Sequence, residues 1–240
     1  MRVIGVIDLK GGVAVHAVRG ERERYRPVRG RLAASAEPVA LANGFRALGG
    51  EELYVADLDA IGGGALQAGA IAALAAGGGV IADAGAGDEA RVRELLALGV
   101  RAVVVGTETL GDAAALPRLA AVAGEDRIVL SLDLCERRVL ARDPALAGLP
   151  ALEGLDALAA GAPREVIVLD LARVGAGAGP DVELIAAARE RLPAARLLAG
   201  GGVRDAGDLR ALARAGAAGA LVGTALHRGA IGAAELPALR

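Results

Sequence analysis

Residues 195–229 read ARLLAGGGVRDAGDLRALARAGAAGALVGTALHRG. Leu197, Leu198 and Ala199 make the short apolar run that a buried parallel strand needs, and Gly200, Gly201 and Gly202 let the chain then turn tightly with bare amides. Asp205 stands where a helix N-cap belongs, ahead of Leu209, Leu212 and Ala213 at helical spacing. A second strand, residues 219–222, runs into Gly223-Thr224. Glycine turns, helix starts and a hydroxyl side by side suit a phosphate dianion without any lysine. Gly201, Gly202, Gly223 and Thr224 are therefore the candidate phosphate-binding residues.

The chain contains this stretch twice. Residues 80–107 align with residues 197–224 without a gap, at a constant offset of 117 (197 minus 80). Gly85 falls on Gly202, Asp88 on Asp205, Gly99 on Gly216, and Val105-Gly106-Thr107 on Val222-Gly223-Thr224. Upstream, VADLDAIGGG from Val55 echoes VLDLARVGAG from Val168, and VIDL from Val6 echoes SLDL from Ser131. Two equivalent halves follow, residues 1–122 and 123–240, each with four strand-then-helix units that could not bury their sheet alone. Eight alternating units in 240 residues point to one α/β domain, a single (β/α)8 TIM barrel built from two homologous half-barrels.

Composition narrows the function. A net charge of -2, with one Phe, two Tyr and no Trp, leaves no electrostatic footprint or stacking surface for nucleic acid. Cys135 is the only cysteine, so no internal disulfide forms, and His16 and His227 are the only histidines, so no zinc cluster is expected. Residues 60–82 carry no charge and are long enough to span a bilayer, but the repeat assigns them to a loop, a helix and the third strand. Without a basic, apolar and small-residue pattern at the N-terminus, the expected location is the cytoplasm.

Chemistry belongs at the C-terminal ends of barrel strands. Residues 3–8 and 128–133 are the first and fifth strands, and each ends in a carboxylate, Asp8 and Asp133. These strands lie across the barrel from one another, so the two acids face each other over the mouth. The turns after strands three and four oppose those after seven and eight on the perpendicular axis. Gly85, Gly106 and Thr107 are there the candidates for a second anion site. The first loop, residues 9–37, carries Arg19, Arg22, Arg24, Arg26, Arg29 and Arg31 around Tyr25; it reads as a solvated hairpin or as a lid over an anionic substrate. Lys10, the single lysine, reads as a Schiff-base amine or, beside Gly11-Gly12, as part of a turn. His16, Arg19, Asp170 and His227 are further candidate substrate contacts, while Asp57, Asp59 and Asp170 also suit structural hydrogen bonding of loops.

VIDLKGG, VADLDAIGGG, SLDL, GAGAGPD, LAGGGVRDAGDL and VGTALHRG, spread over nearly the whole chain, resemble the half-barrel-repeat family of histidine biosynthesis. That family contains phosphoribosylformimino-aminoimidazole-carboxamide ribotide isomerase and the cyclase subunit of imidazole glycerol phosphate synthase. The resemblance implies that Asp8 and Asp133 form the acid/base pair, Asp8 as base and Asp133 as acid. It places Gly201, Gly202, Gly223 and Thr224 at a phosphate site. The implied reaction is an Amadori rearrangement of an aminoaldose to an aminoketose on a phosphoribosyl compound, a small-molecule phosphosugar, with no cofactor. A lyase or cyclase acting on a related phosphosugar and a non-catalytic phosphosugar-binding barrel are the alternatives. Two departures stand out. Where relatives have a Gly-Gly-X-Arg turn, the first half has Ala84-Gly85-Ala86-Gly87, and Leu169 and Val174 replace a Thr and an Asp. These favour a substrate with one phosphate and a less polar far end. The chain thereby also resembles a divergent branch associated with methanopterin-type one-carbon cofactors, which implies a phosphoribosyl-arylamine-like substrate.

Overall fold

The computed structural model describes residues 1–236. Its strands are β1 Arg2–Lys10, β2 Val13–His16, β3 Arg26–Pro27, β4 Glu52–Asp57, β5 Val80–Asp83, β6 Ala102–Gly106, β7 Ile128–Cys135, β8 Arg138–Val139, β9 Glu165–Asp170, β10 Arg196–Gly200 and β11 Gly219–Val222. The α-helices are α1 Pro38–Ala47, α2 Leu58–Ile61, α3 Ala68–Ala75, α4 Glu89–Ala97, α5 Leu116–Ala123, α6 Ala151–Leu158, α7 Val182–Arg191, α8 Ala206–Arg214 and α9 Thr224–Arg228.

Eight of the strands are parallel neighbours in the order β1, β4, β5, β6, β7, β9, β10, β11. Pairing of β11 back onto β1, from Arg2 opposite Gly219 to Gly5 opposite Val222, closes the ring. The fold is a (β/α)8 barrel, and closure leaves the eight-stranded ring itself without an edge. The uncharged residues 60–82 divide into the end of α2, a loop, α3 and most of β5, and no helix among the described residues is long and apolar enough to cross a membrane.

Alternation along each strand separates two apolar layers. Ile4 and Val6 of β1 point inward with Tyr54, Ile81, Val104, Val129, Ile167, Leu198 and Leu221. Ile7 and Leu9 point outward to the helix-facing layer with Phe45, Leu95 and Leu212. Two pairs of residues matched by the repeat occupy like places. Asp88 caps α4 by accepting from the Arg91 N–H, and Asp205 caps α8 by accepting from Gly207 and Asp208. Gly99 and Gly216 leave those helices at φ 85° and 92°, a region closed to most side chains. Ala213 differs from its expected place on the buried stripe: it is exposed, and Asp208, Leu209 and Leu212 form the buried face of α8.

At the N-terminal end of the barrel, charge replaces apolar packing. Glu165, buried to 4% exposure, pairs with Arg2 at 2.7 Å and Arg101 at 3.1 Å, while Glu52 takes Arg2 at 3.0 Å and Arg101 at 3.1 Å. This network lies opposite the face where barrel chemistry is built.

Candidate active site

A cavity of about 260 Å³ occupies the C-terminal mouth of the barrel. Asp8 of β1 and Asp133 of β7 both line it, and so do Gly201, Gly202, Gly223, Thr224, His16 and His227. β1 and β7 are the first and fifth strands of the ring, so the two carboxylates enter from opposing walls. Interior alternation brings them there: Val6 and Asp8 follow Ile4, and Ser131 and Asp133 follow Val129.

Each acid is held differently. Ser131 Oγ donates to Asp133 Oδ1 at 2.7 Å, and the Glu108 N–H donates to Oδ2 at 3.2 Å. Gly106 faces this carboxylate, and a Cβ there would lie 2.7 Å from Asp133 Oδ2. Burial and the nearby Asp83 push Asp8 up to about 7, against the pull of the Arg22 guanidinium. Burial and Asp83 push Asp133 to about 7 as well, opposed by its bonds from Ser131 and Glu108. Near neutrality the pair can thus hold a proton on one carboxyl while the other is ionised. The two environments do not divide the roles of base and acid, because Arg22 favours ionised Asp8 just as the Ser131 hydroxyl and the Glu108 N–H favour ionised Asp133.

On the perpendicular axis, the turn after β10 and the start of α9 after β11 form one end of the cavity. Gly201 and Gly202 take φ 93° and 87°, and a Cβ on Gly202 would overlap the Gly179 carbonyl. Only glycine fits this turn. Thr224 Oγ1 lies 3.1 Å from His16 Nε2. Burial lowers His16, helped by the charge of Arg228, and burial lowers His227 to about 4, so both rings are neutral near pH 7. The Nδ1 of His227 is buried without a hydrogen-bond partner.

Other sequence-derived candidates are placed elsewhere. Thr107 is fully buried, with Oγ1 donating to the Leu140 carbonyl at 2.8 Å and accepting from the Asp133 N–H at 3.0 Å. Neither it nor Gly85 and Gly106 lines the cavity. Lys10 leaves the mouth in the β1–β2 hairpin, opposite Val13, and its Nζ donates to the Arg22 carbonyl at 2.7 Å. That placement removes the support for a Schiff base and fits the turn at Gly11-Gly12. Arg19 and Asp170 also lie off the cavity lining. The Arg19 N–H bonds the Val174 carbonyl, and Asp170 accepts from Ala172 and Glu136 N–H groups at 3.1 and 3.2 Å. Asp57 and Asp59 likewise tie down loops, through Ala60, Gln67 and Gly11. The arginine-rich first loop does reach over the mouth. Arg22 and Tyr25 line the cavity, and Arg22 forks onto Glu108 at 2.7 and 2.8 Å.

Sequence reasoning missed Asp83, Tyr54, Ser131 and Glu108. Tyr54 Oη donates to Asp83 Oδ2 at 2.7 Å, and burial is the main cause that lifts Asp83 to about 6. The interior period of two, which puts Tyr54 and Ala56, or Ile81 and Asp83, on one face, was the signal available. Leu169 and Val174 both line the cavity, as apolar wall.

Comparison with known proteins agrees with the architecture. The family model described as histidine biosynthesis protein matches residues 2–232. A protein of Rubrobacter xylanophilus named 1-(5-phosphoribosyl)-5-((5-phosphoribosylamino)methylideneamino)imidazole-4-carboxamide isomerase is 36% identical over 232 residues, 95% of this chain and 91% of the relative. A protein of the same name from Thermus thermophilus is 32% identical over 234 residues, 96% of each chain. An uncharacterized protein of Methanocaldococcus jannaschii is 29% identical over 239 residues, 98% of this chain and 97% of the relative. With the barrel closed around a matching span of almost its whole length, the chain belongs to the histidine biosynthesis protein family.

Proposed function

We propose that the protein is an Amadori-type isomerase that converts an N-linked 5-phosphoribosyl aminoaldose to the aminoketose. The carrying observation is the pair Asp8 and Asp133 on opposing walls of one cavity, both raised to about 7. In the reaction one carboxylic acid protonates the ring oxygen as the C1–O bond breaks, leaving a C1=N iminium. The opposing carboxylate removes the proton from C2 to give an enolamine, which tautomerises to the ketose. No atoms are gained or lost, and no electron acceptor is needed. Two opposing carboxyls, each raised to about 7, supply both partners.

The 5-phosphate is anchored by the Gly201-Gly202 turn and the Gly223-Thr224 helix start, a position typical of barrels after their seventh and eighth strands. This orients the sugar between the two acids. Tyr25 and Arg22 in the first loop cover it from above. The relatives named as isomerases support this chemistry, and they suggest their own named compound as the first substrate to test.

The test is turnover of that aminoaldose, followed by ultraviolet absorbance, by the purified protein and by Asp8→Asn and Asp133→Asn. Each substitution should lower kcat by about 10²–10⁴-fold with the fold retained. Undiminished turnover in either variant would remove that residue from the chemistry.

A further inference from the structure

Asp83 stands where the internal repeat puts Gly200, since the offset of 117 that pairs Gly85 with Gly202 also pairs residue 83 with residue 200. The first glycine of the second-half phosphate turn is thus an aspartate in the first half. β5 and β10 are the third and seventh strands of the ring, so the two residues face one another across the mouth, on the axis perpendicular to Asp8 and Asp133. At Gly200 a Cβ would lie 2.7 Å from Leu169 Cδ1, so a side chain there needs the Leu169 side chain to move aside. At residue 83 a carboxylate lines the cavity, held by Tyr54 Oη at 2.7 Å. The Gly85 N–H also supports its ionised form, so an amide of the first-half turn serves an internal anion.

The lining of the cavity is polarised accordingly. Its four carboxylates are Asp8, Asp83, Glu108 and Asp133, all on the axis of the catalytic pair or at the first-half end. Arg22, the cation at that end, is already engaged by Glu108. The opposite end carries His16, His227, Arg204 and Arg228 beside the glycine turn, and no carboxylate. An anionic group brought to the acidic end meets like charge in a site screened from water. An N–H donor meets acceptors.

We infer that Asp83 is a specificity-determining residue that makes the first-half end of the cavity a seat for an uncharged or cationic hydrogen-bond donor, such as a substrate amine or amide. The substrate then carries its phosphate only at the Gly201, Gly202, Gly223 and Thr224 end. This rests on the isomerase reading for the direction in which the substrate lies, and it names the substrate class that reading leaves open.

The test uses two ligands that differ only at the far end. One is the bisphosphorylated aminoaldose in the name of the isomerase relatives; the other is the same compound without the phosphate on the imidazole-borne ribose. Calorimetric titration should show the monophosphate binding the wild-type protein at least about tenfold more tightly, the effect of one unfavourable charge contact of roughly 1.4 kcal/mol. Asp83→Asn, which keeps an acceptor for Tyr54, and Asp83→Gly, which copies Gly200, should each bring that ratio toward one. Tighter binding of the bisphosphate by the wild type, or a preference unchanged in both variants, overturns the inference. Failure of the isomerase reading looks different: the preference is present, and neither bound ligand is rearranged.

Discussion

A carboxylate at the end of a strand can cap a turn or face a cavity, and this chain contains both. Asp57 and Asp170 spend their oxygens on loop amides, while Asp8 and Asp133 line the mouth. Asp57 and Asp170 do end β4 and β9, whereas β1 and β7 run two residues past Asp8 and Asp133, to Lys10 and Cys135; what sets the latter pair apart is their place on opposing strands of the ring. Pairing within the repeat passed over Asp83, because its partner there is a glycine; the contrast of VIAD with LLAG was visible and its meaning was not. Asp83 has two measurable consequences for its neighbours. Its charge contributes to raising both Asp8 and Asp133, so the pH dependence of kcat/KM, expected to be bell-shaped around 7 in the wild type, should move toward acid in Asp83→Asn. A profile that stays in place would separate Asp83 from the pair. The second consequence is for stability. Its folded value of about 6 exceeds the ordinary 3.8, so the folded state holds the proton more tightly. That contribution is fully present below about 3.8 and is lost as pH rises through about 6. Asp83→Asn should therefore exceed the wild type in stability by about 1–3 kcal/mol at pH 8, with the gain vanishing near pH 4, measured by urea unfolding.

Elements were legible in proportion to how locally they are determined. Apolar runs marked the eight barrel strands, and Asp88 and Asp205 marked helix starts, since a cap needs only its own backbone neighbours. The turn that Gly11-Gly12 announced is present: β1 continues past Asp8 to Lys10 and turns back as β2, a hairpin fixed by Gly11 at φ 57° and Gly12 at φ 83°. Thr107 shows the opposite limit, since a sequence match to Thr224 carries no information about a carbonyl such as that of Leu140 arriving from a distant loop. The repeated caps give a controlled comparison. Asp88→Ala and Asp205→Ala should each cost about 1 kcal/mol of stability by chemical denaturation, because both side chains are exposed and each accepts backbone N–H groups of the first turn. Only Asp205→Ala should also raise KM, since α8 follows the Gly201-Gly202 turn that lines the cavity whereas α4 follows a turn that does not. Equal KM values for the two variants would argue against a phosphate at the second-half turn.

At the scale of the whole barrel, the two ends of the same strands have separate duties. Arg2, Glu52, Arg101, Glu165 and Arg196 stand at or just before the starts of β1, β4, β6, β9 and β10, and their charges converge at the end away from the cavity. Charges directly preceding the apolar runs are the trace of this network in the sequence. Glu165 is its centre, nine-tenths and more buried and reached by three arginines, at 2.7 Å from Arg2, 3.1 Å from Arg101 and 3.7 Å from Arg196. Removing it leaves converging positive charge with only Glu52 to offset it, and breaking a buried pair in this way costs more than the pair contributes. The arginine side chains are 30–55% exposed, so solvent screens part of the repulsion. Glu165→Ala should accordingly lower stability by about 2–4 kcal/mol, read as a drop in the midpoint of thermal or urea unfolding. It should leave KM and the pH profile unchanged, because no residue of the network lines the cavity. A change in the pH profile would mean that the axial layer between Glu165 and the aspartates, built from Ile4, Tyr54, Val104, Val129 and Ile167, transmits the disturbance rather than absorbing it.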